Sequence, residues 1–243
     1  MTPEQTRSRA ARTAAETALV RIVHHYGGRP EFVLLGGLVP ELLCATSDAR
    51  HAGTTDVDVQ VDLELAAGAV NGPRLERALR NAEFEPDSSR AWRWRTKVDG
   101  APTLVKFELL ADQPDARSGD TFHFDGCESL GAVNLMGTGY ASQDVRMTSL
   151  EARVGDDRHR VELYVTGLAG YLLAKMAAAR ERRLPKDWYD IAFVLRHNDD
   201  GGAEAAARTI LQRFPGVFAG SARTSLLELQ ANFQDPEGQG PNA

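Results

Sequence analysis

Gly53-Thr54-Thr55-Asp56-Val57-Asp58-Val59-Gln60-Val61-Asp62 alternates valine at 57, 59 and 61 with polar residues, and a side-chain period of two is the signature of a half-buried β-strand. Asp56 and Asp58 therefore leave the strand on one face. Two ionised carboxylates held that close raise each other's pKa, so a chain that presents them together usually supplies a cation to bridge them. Taken alone, Asp-x-Asp in an alternating segment is a solvated acidic strand face; the surrounding sequence changes its meaning.

Upstream, Phe32-Val33-Leu34-Leu35 is a short apolar run that reads as a strand buried on both faces. It stops at Gly36-Gly37 and passes into Leu38–Leu43, a helix with Pro40 in its first turn. A strand, two glycines and a helix N-terminus make a place where backbone N–H groups approach a phosphate with no side chain in the way. Before it, residues 3–26 place Ala11, Ala15, Ala18, Leu19, Ile22 and Val23 on one helical stripe, with Pro3 suited to the first turn and Gly27-Gly28 to the end. The loop from Cys44 to Gly53 contains Arg50 and His51, and a lone histidine there reads as a surface residue.

Downstream, residues 63–82 read as a turn and a helix with Leu75, Ala78 and Leu79 inward, and Phe84-Glu85-Pro86 opens a second β region. Arg90, Trp92, Arg93, Trp94 and Arg95 then interleave aromatic and basic side chains on an edge-type strand. That pattern fits a wet amphipathic strand or a platform that stacks a nucleobase and grips phosphates. Leu104–Leu110 is the next strand, expected antiparallel to the Asp56 strand, and the pairing sets Glu108 close to both aspartates. A third carboxylate there is what two divalent ions about 4 Å apart need; the alternative is that Glu108 pairs with an arginine.

Residues 112–125 have loop composition, and 130–165 carry further short alternating strands or hairpins. From Thr166, a plausible N-cap, the period becomes helical through Leu168, Tyr171, Leu172, Met176 and Ala179, with Lys175 among them and Arg180, Arg182 and Arg183 after it. Pro185 interrupts the pattern, and a second helix runs from Lys186 to His197 with Asp187 and Asp190 on one face. Two more helices, over 202–213 and 222–233, precede a Pro- and Gly-rich tail from Asp235 to Ala243 that reads as disordered.

The 243 residues are 42% hydrophobic and 26% charged, the composition of an ordinary globular protein with enough chain for a substantial core. No apolar run approaches the roughly 20 residues of a membrane helix, so no membrane partner and a cytoplasmic location are expected. Two cysteines, Cys44 and Cys127, make no disulfide framework and lack metal-site spacing. A net charge of −6 argues against a protein that coats nucleic acid by bulk electrostatics, yet it suits one that holds several carboxylates around metal ions.

Taken together, Gly36-Gly37, Thr54-Thr55-Asp56-Val57-Asp58, Glu108 and the segment Lys175-x4-Arg180-x5-Lys186-Asp187-x2-Asp190 resemble the nucleotidyltransferase-fold toxins of the AbiEii/AbiGii type, the group that includes the MenT toxins. The resemblance spans roughly residues 30 to 200. It implies an α+β fold: a nucleotidyltransferase-type mixed β-sheet flanked by helices over residues 1–165, a mainly helical part over 166–234, and the tail 235–243. It also implies transfer of a nucleoside monophosphate from a nucleoside triphosphate to an acceptor hydroxyl. By the resemblance, Asp56, Asp58 and Glu108 hold Mg²⁺, or Mn²⁺ in its place, and Lys175 supplies catalytic positive charge. Gly36, Gly37, Thr54, Thr55, Arg180, Asp187 and Asp190 join Lys175 in holding the nucleotide. RNA, in particular the 3′ end of tRNA, is the implied acceptor, and a cognate antitoxin the implied partner. The family's arginine four residues before the first aspartate is Ala52 here, with Arg50 and His51 beside it. A protein hydroxyl or a cationic small molecule of aminoglycoside type would use the same catalytic half, and a non-catalytic nucleotide- or partner-binding module is the alternative of another class.

Overall fold

The structure is a computed structural model that describes residues 8–61, 71–97, 104–216 and 219–242. The expected helix start at Pro3, the turn at 63–70 and Asp62 lie outside the described residues. The fold is mixed α/β: a mixed sheet flanked by helices, followed by a helical C-terminal part.

Helix α1 (Arg9–Tyr26) is capped by the Ser8 side chain and ends at Gly27, and every apolar position of its expected stripe is buried. Strand β1 (Val33–Leu35) leads through a 3₁₀ turn, Gly36–Leu38, into the short helix α2 (Val39–Leu43). Strand β2 (Asp56–Gln60) follows, and then α3 (Gly72–Asn81), with Leu75, Ala78 and Leu79 buried. The sheet continues with β3 (Glu85–Asp87), β4 (Arg90–Lys97), β5 (Leu104–Ala111), β6 (Thr121–His123) and β7 (Gly131–Asn134). A one-turn helix α4 (Tyr140–Gln143) precedes the long hairpin β8 (Val145–Val154) and β9 (Asp157–Thr166). Helices α5 (Leu168–Arg182), α6 (Pro185–His197), α7 (Gly202–Arg213) and α8 (Gly220–Gln234) close the chain.

The strand order is β3-β4-β5-β2-β1-β9-β8, with β7 added to β5 and β6 to β7. β2 runs parallel to β5, not antiparallel as expected, yet Asp58 still sits directly across from Glu108. Alternation decides which face a residue takes, and it is blind to strand direction, so the face came out right and the direction did not. The Trp/Arg strand is also not an edge: β4 is hydrogen-bonded to β3 on one side and β5 on the other. Trp94 pairs across from Phe107 and is 0% exposed, which removes it from any base-stacking platform.

Val57, Val59, Phe107 and Leu109 fill the sheet face covered by α1, and one hydrophobic core runs from α1 through the sheet into α5 and α6. Their burial on that face leaves Asp56, Asp58, Lys106 and Glu108 on the other. Helix α5 is capped at Gly167, because Thr166 remains the last residue of β9. Asp144 does the work expected of Thr166, accepting the Gly170 N–H at 2.9 Å. The segment expected to be a featureless loop over 112–125 contains β6. The tail expected to be disordered is placed in turns over 235–242, where Gln239 accepts the Trp188 indole N–H at 2.9 Å. Among the described residues no helix is long and apolar enough to cross a membrane.

Candidate active site

Two cavities, each of about 180 Å³, adjoin on the polar face of the sheet and share Asp58, Glu108, Lys175 and Arg182 as walls. One is charged throughout: Asp56, Asp58, Glu108 and Asp190 face Arg93, Lys106, Lys175, Arg182 and Lys186, with Gly37 and Thr54 at its edge. The other is mostly apolar, lined by Leu35, Leu110, Leu135, Met136, Tyr171, Ala174 and Ala178 beyond the shared charges.

The acidic floor is built by β2 and β5. Asp56 meets Lys106 Nζ at 3.5 Å, and Glu108 is paired with Arg93 from β4. The Asp58 carboxylate forms no ion pair or hydrogen bond among the described residues, although it stands between these two. Burial first, then Glu108 and Asp56, push its carboxyl up from 3.8 to about 7, while Lys175 and Arg182 pull it down. The turn after β1 lies directly over it. A Cβ on Gly36, whose φ is 79°, would come 2.1 Å from Asp58 Oδ2, and one on Gly37 would come 2.8 Å from Thr54 Cβ. Only glycine lets backbone come that near the carboxylate. Thr54 Oγ1 accepts the Asp56 N–H at 3.0 Å, fixing the entry to the strand.

The roof comes from α5 and α6. Lys175 is 8% exposed, and its ammonium lies 2.8 Å from Asp190 Oδ2 and 2.9 Å from Asp187 Oδ1. Burial, the largest influence, lowers the pKa of Lys175, but Asp190 and Asp187 outweigh it and the net direction is up. Asp187 Oδ1 also takes Arg182 Nη2 at 2.8 Å. Asp190 Oδ1 takes His51 Nε2 at 2.9 Å.

The cleft thus brings together Asp56, Asp58, Glu108, Lys175, Gly36, Gly37, Thr54 and Asp190, and both strand aspartates share it with Lys175. Three expected nucleotide-binding residues are not in its lining. Thr55 is buried on the Val57 side of the strand, one residue out of phase with Asp56. Arg180 lies on another side of α5, since Ala174, Lys175, Ala178, Glu181 and Arg182, spaced by helical turns, line the cavities. Asp187 is 0% exposed and spends itself on Lys175 and Arg182. His51, expected at the surface, is 2% exposed.

Lys106 and Arg182 line the cleft without having been expected among the site residues, and Arg93, expected either on a wet strand or on a phosphate-gripping platform, lines the charged cavity. Each had a signal. Lys106 lies two residues before Glu108 on a strand, and Arg182 lies seven after Lys175 on a helix, so each shares its neighbour's face.

A magnesium ion would suit this floor. Among the described residues no group of three or more Asp, Glu, His or Cys side chains is arranged to hold a metal. Mg²⁺ is commonly held by one or two carboxylates, with substrate phosphates and water completing its shell. Asp56 and Asp58 offer that pair, and the cation-free Asp58, with its raised pKa, has the most to gain from it. No protein-family model and no curated protein matches this chain, so the chemistry of the cleft is to be sought in its own geometry.

Proposed function

We propose that the protein is a nucleotidyltransferase of the AbiEii/AbiGii type, with the corresponding nucleotidyltransferase fold, which moves a nucleoside monophosphate from a nucleoside triphosphate to an acceptor hydroxyl and releases pyrophosphate. The observation that carries this reading is the pairing of an apolar cavity with a charged one across Asp58, Glu108, Lys175 and Arg182. A molecule that is flat and apolar at one end and polyanionic at the other fills both, and a nucleoside triphosphate is such a molecule.

In this reading the base lies among Leu110, Leu135, Met136 and Tyr171, and the phosphates run under α5. Lys175, held in place before substrate arrives, presents fixed positive charge to the triphosphate, where it needs no reorganisation as charge builds on the phosphoryl group. Arg182 and Lys186 add donors at the rim. Mg²⁺ on Asp56 and Asp58 would neutralise phosphate charge and lower the pKa of the attacking hydroxyl. Glu108 is the carboxylate placed to take the proton of that hydroxyl, with Arg93 exchanging its pairing from Glu108 to a phosphate oxygen.

For the acceptor we propose an RNA hydroxyl, at the 3′ end of tRNA, with a cognate antitoxin and a cytoplasmic setting to match. The basic rim of Arg93, Arg182 and Lys186 supports an anionic acceptor. Trp94 lends no support, being in the core.

The test is incubation with each labelled nucleoside triphosphate, Mg²⁺, total cellular RNA and the protein, with Asp56→Ala beside the wild type. We expect label in a tRNA-sized band, lost in the variant. Label confined to protein, or appearing only when a small amino sugar is added, would move the acceptor to those classes. No label with any triphosphate would leave a binding module.

A further inference from the structure

Behind Lys175 the buried side chains form a continuous line that begins at the backbone where the chain enters β2. His51 has a fully buried side chain. Its Nδ1 lies 3.2 Å from the Gly53 N–H, which can only donate. Nδ1 is therefore the acceptor of the ring and Nε2 carries the proton. That Nε2–H points at Asp190 Oδ1, 2.9 Å away, and the second oxygen of Asp190 meets the Lys175 ammonium at 2.8 Å.

The imidazole is held from three sides. Its centroid lies 5.2 Å from that of Tyr189 and 5.1 Å from that of Phe193, both on α6. The Tyr189 hydroxyl accepts the Ala52 N–H at 3.0 Å, so the residues either side of α6's aromatic face are tied to the strand entry twice over. Gly53, at φ 86°, is pressed against α1: a Cβ there would come 2.5 Å from Ser8 O. The loop that carries His51 has no slack on either side.

A lysine has four rotatable bonds, and an ammonium that must meet a phosphate in one place gains from being held there beforehand. Asp187 contributes one hold, but that carboxylate is shared with Arg182. Asp190 contributes the other, and only while its own rotation is stopped. With Oδ1 committed to His51, Oδ2 is turned to Lys175; without His51 the carboxylate loses that hold on Oδ1, and the place of the ammonium is set less closely.

We propose that His51 is a positioning residue that, through Asp190, sets the place of the Lys175 ammonium at the wall shared by the two cavities. The geometry stands by itself; the purpose of the brace rests on the nucleotide reading of the cleft.

The test has two arms so that the brace and the reading can fail separately. Glutamine carries an amide N–H near the position of Nε2 and can keep the bond to Asp190, whereas asparagine reaches only as far as Nδ1. In the first arm, nucleotide-free protein is lightly acetylated with acetic anhydride, and the labelling of Lys175 is measured by peptide mass spectrometry against exposed Lys97 in the same molecules. Slow labelling of Lys175 in the wild type and His51→Gln, rising severalfold in His51→Asn and His51→Ala, is the expected result. Equal labelling in all four overturns the brace. Should His51→Ala not fold, the glutamine and asparagine variants carry the comparison alone.

In the second arm, affinities for a nucleoside and for its triphosphate with Mg²⁺ are measured on the same proteins. We expect His51→Asn to weaken triphosphate binding by about tenfold and His51→Gln to restore it, with nucleoside binding unchanged throughout. Equal weakening for nucleoside and triphosphate overturns the role through Lys175. A wild type that binds no nucleoside triphosphate overturns the nucleotide reading, and with it the purpose of the brace, while the labelling arm still decides whether the brace exists.

Discussion

Two pairs of aspartates, Asp56/Asp58 on β2 and Asp187/Asp190 on α6, are spaced so that each pair shares a face, and the structure treats them in opposite ways. The helical pair is buried and satisfied from within the chain, by the charges of Lys175 and Arg182 and a hydrogen bond from His51. On the strand pair Lys106 meets Asp56, while Asp58 is raised to about 7 and its carboxylate has no ion pair among the described residues. A closed set of charges is architecture. An unbalanced one, open to a cleft, is a place for something that arrives from outside.

The comparison breaks most visibly at Lys175. Lys175→Met leaves Asp187 and Asp190 facing each other without their shared cation, and breaking a buried ion pair in this way costs about 3–5 kcal/mol. Urea unfolding at neutral pH measures it. A loss under about 1 kcal/mol would mean the helical pair is less closed than its distances imply.

Asp58→Asn should act in the other direction. At pH 8 the wild type holds an ionised Asp58 that the fold disfavours, so the variant is expected to be more stable by about 1–3 kcal/mol by the same measurement. Asp187→Asn, on the closed pair, should be destabilising. If both substitutions change stability with the same sign, the contrast between the pairs is wrong.

The pH dependence follows from the same shift. Asp58 ionises near 4 when unfolded and near 7 when folded, so between these values the folded protein holds the extra proton. The Asp58 contribution to stability is therefore greatest below about pH 4, falls as pH rises towards 7, and is level above it. The difference in unfolding free energy between wild type and Asp58→Asn, followed from pH 4 to 8, should trace that window. Mg²⁺ binding, read by calorimetry in two buffers of different ionisation enthalpy, should release protons at pH 6 and far fewer at pH 8. Mg²⁺ at 100 times its dissociation constant should then stabilise the wild type by about 2.7 kcal/mol, and Asp58→Asn by much less.

The smallest effect is expected at the rim. Arg93 and Glu108 are each 17% exposed, so Arg93→Gln should cost only about 1 kcal/mol of stability. It should strengthen Mg²⁺ binding, since Glu108 loses a competing cation.

Most of the strands and helices were legible from local patterning. The valines at 57, 59 and 61, the run at Phe32–Leu35 and the stripe from Ala11 to Val23 each announce one element and one buried face, because the periods of two and 3.6 are local properties of the backbone. Where the reading missed, two candidates were locally equivalent. Thr166 and Gly167 can each begin a helix, and the long hairpin kept Thr166 as its last ladder residue. Trp92 and Trp94 look alike in sequence, and only the neighbour across the ladder, Phe107, puts Trp94 in the core. His51 looked like a loop histidine because its partner, Asp190, is far along the chain on α6.

The sequence by itself determined that Asp56 and Asp58 share a face, that Glu108 leaves its strand away from the valine side, and that Lys175 and Asp190 lie on successive helices. Alternation and helical periodicity suffice for that. Only the tertiary structure decided that β2 and β5 run parallel, that the helical aspartates hold Lys175 while the strand aspartates line a cleft, and that an apolar cavity adjoins the charged one. Direction, ion pairing and enclosure all depend on which distant segments meet, and burial then sets what each charge costs. Identical pairs of carboxylates end as a closed clamp in one place and an open floor in the other for that reason.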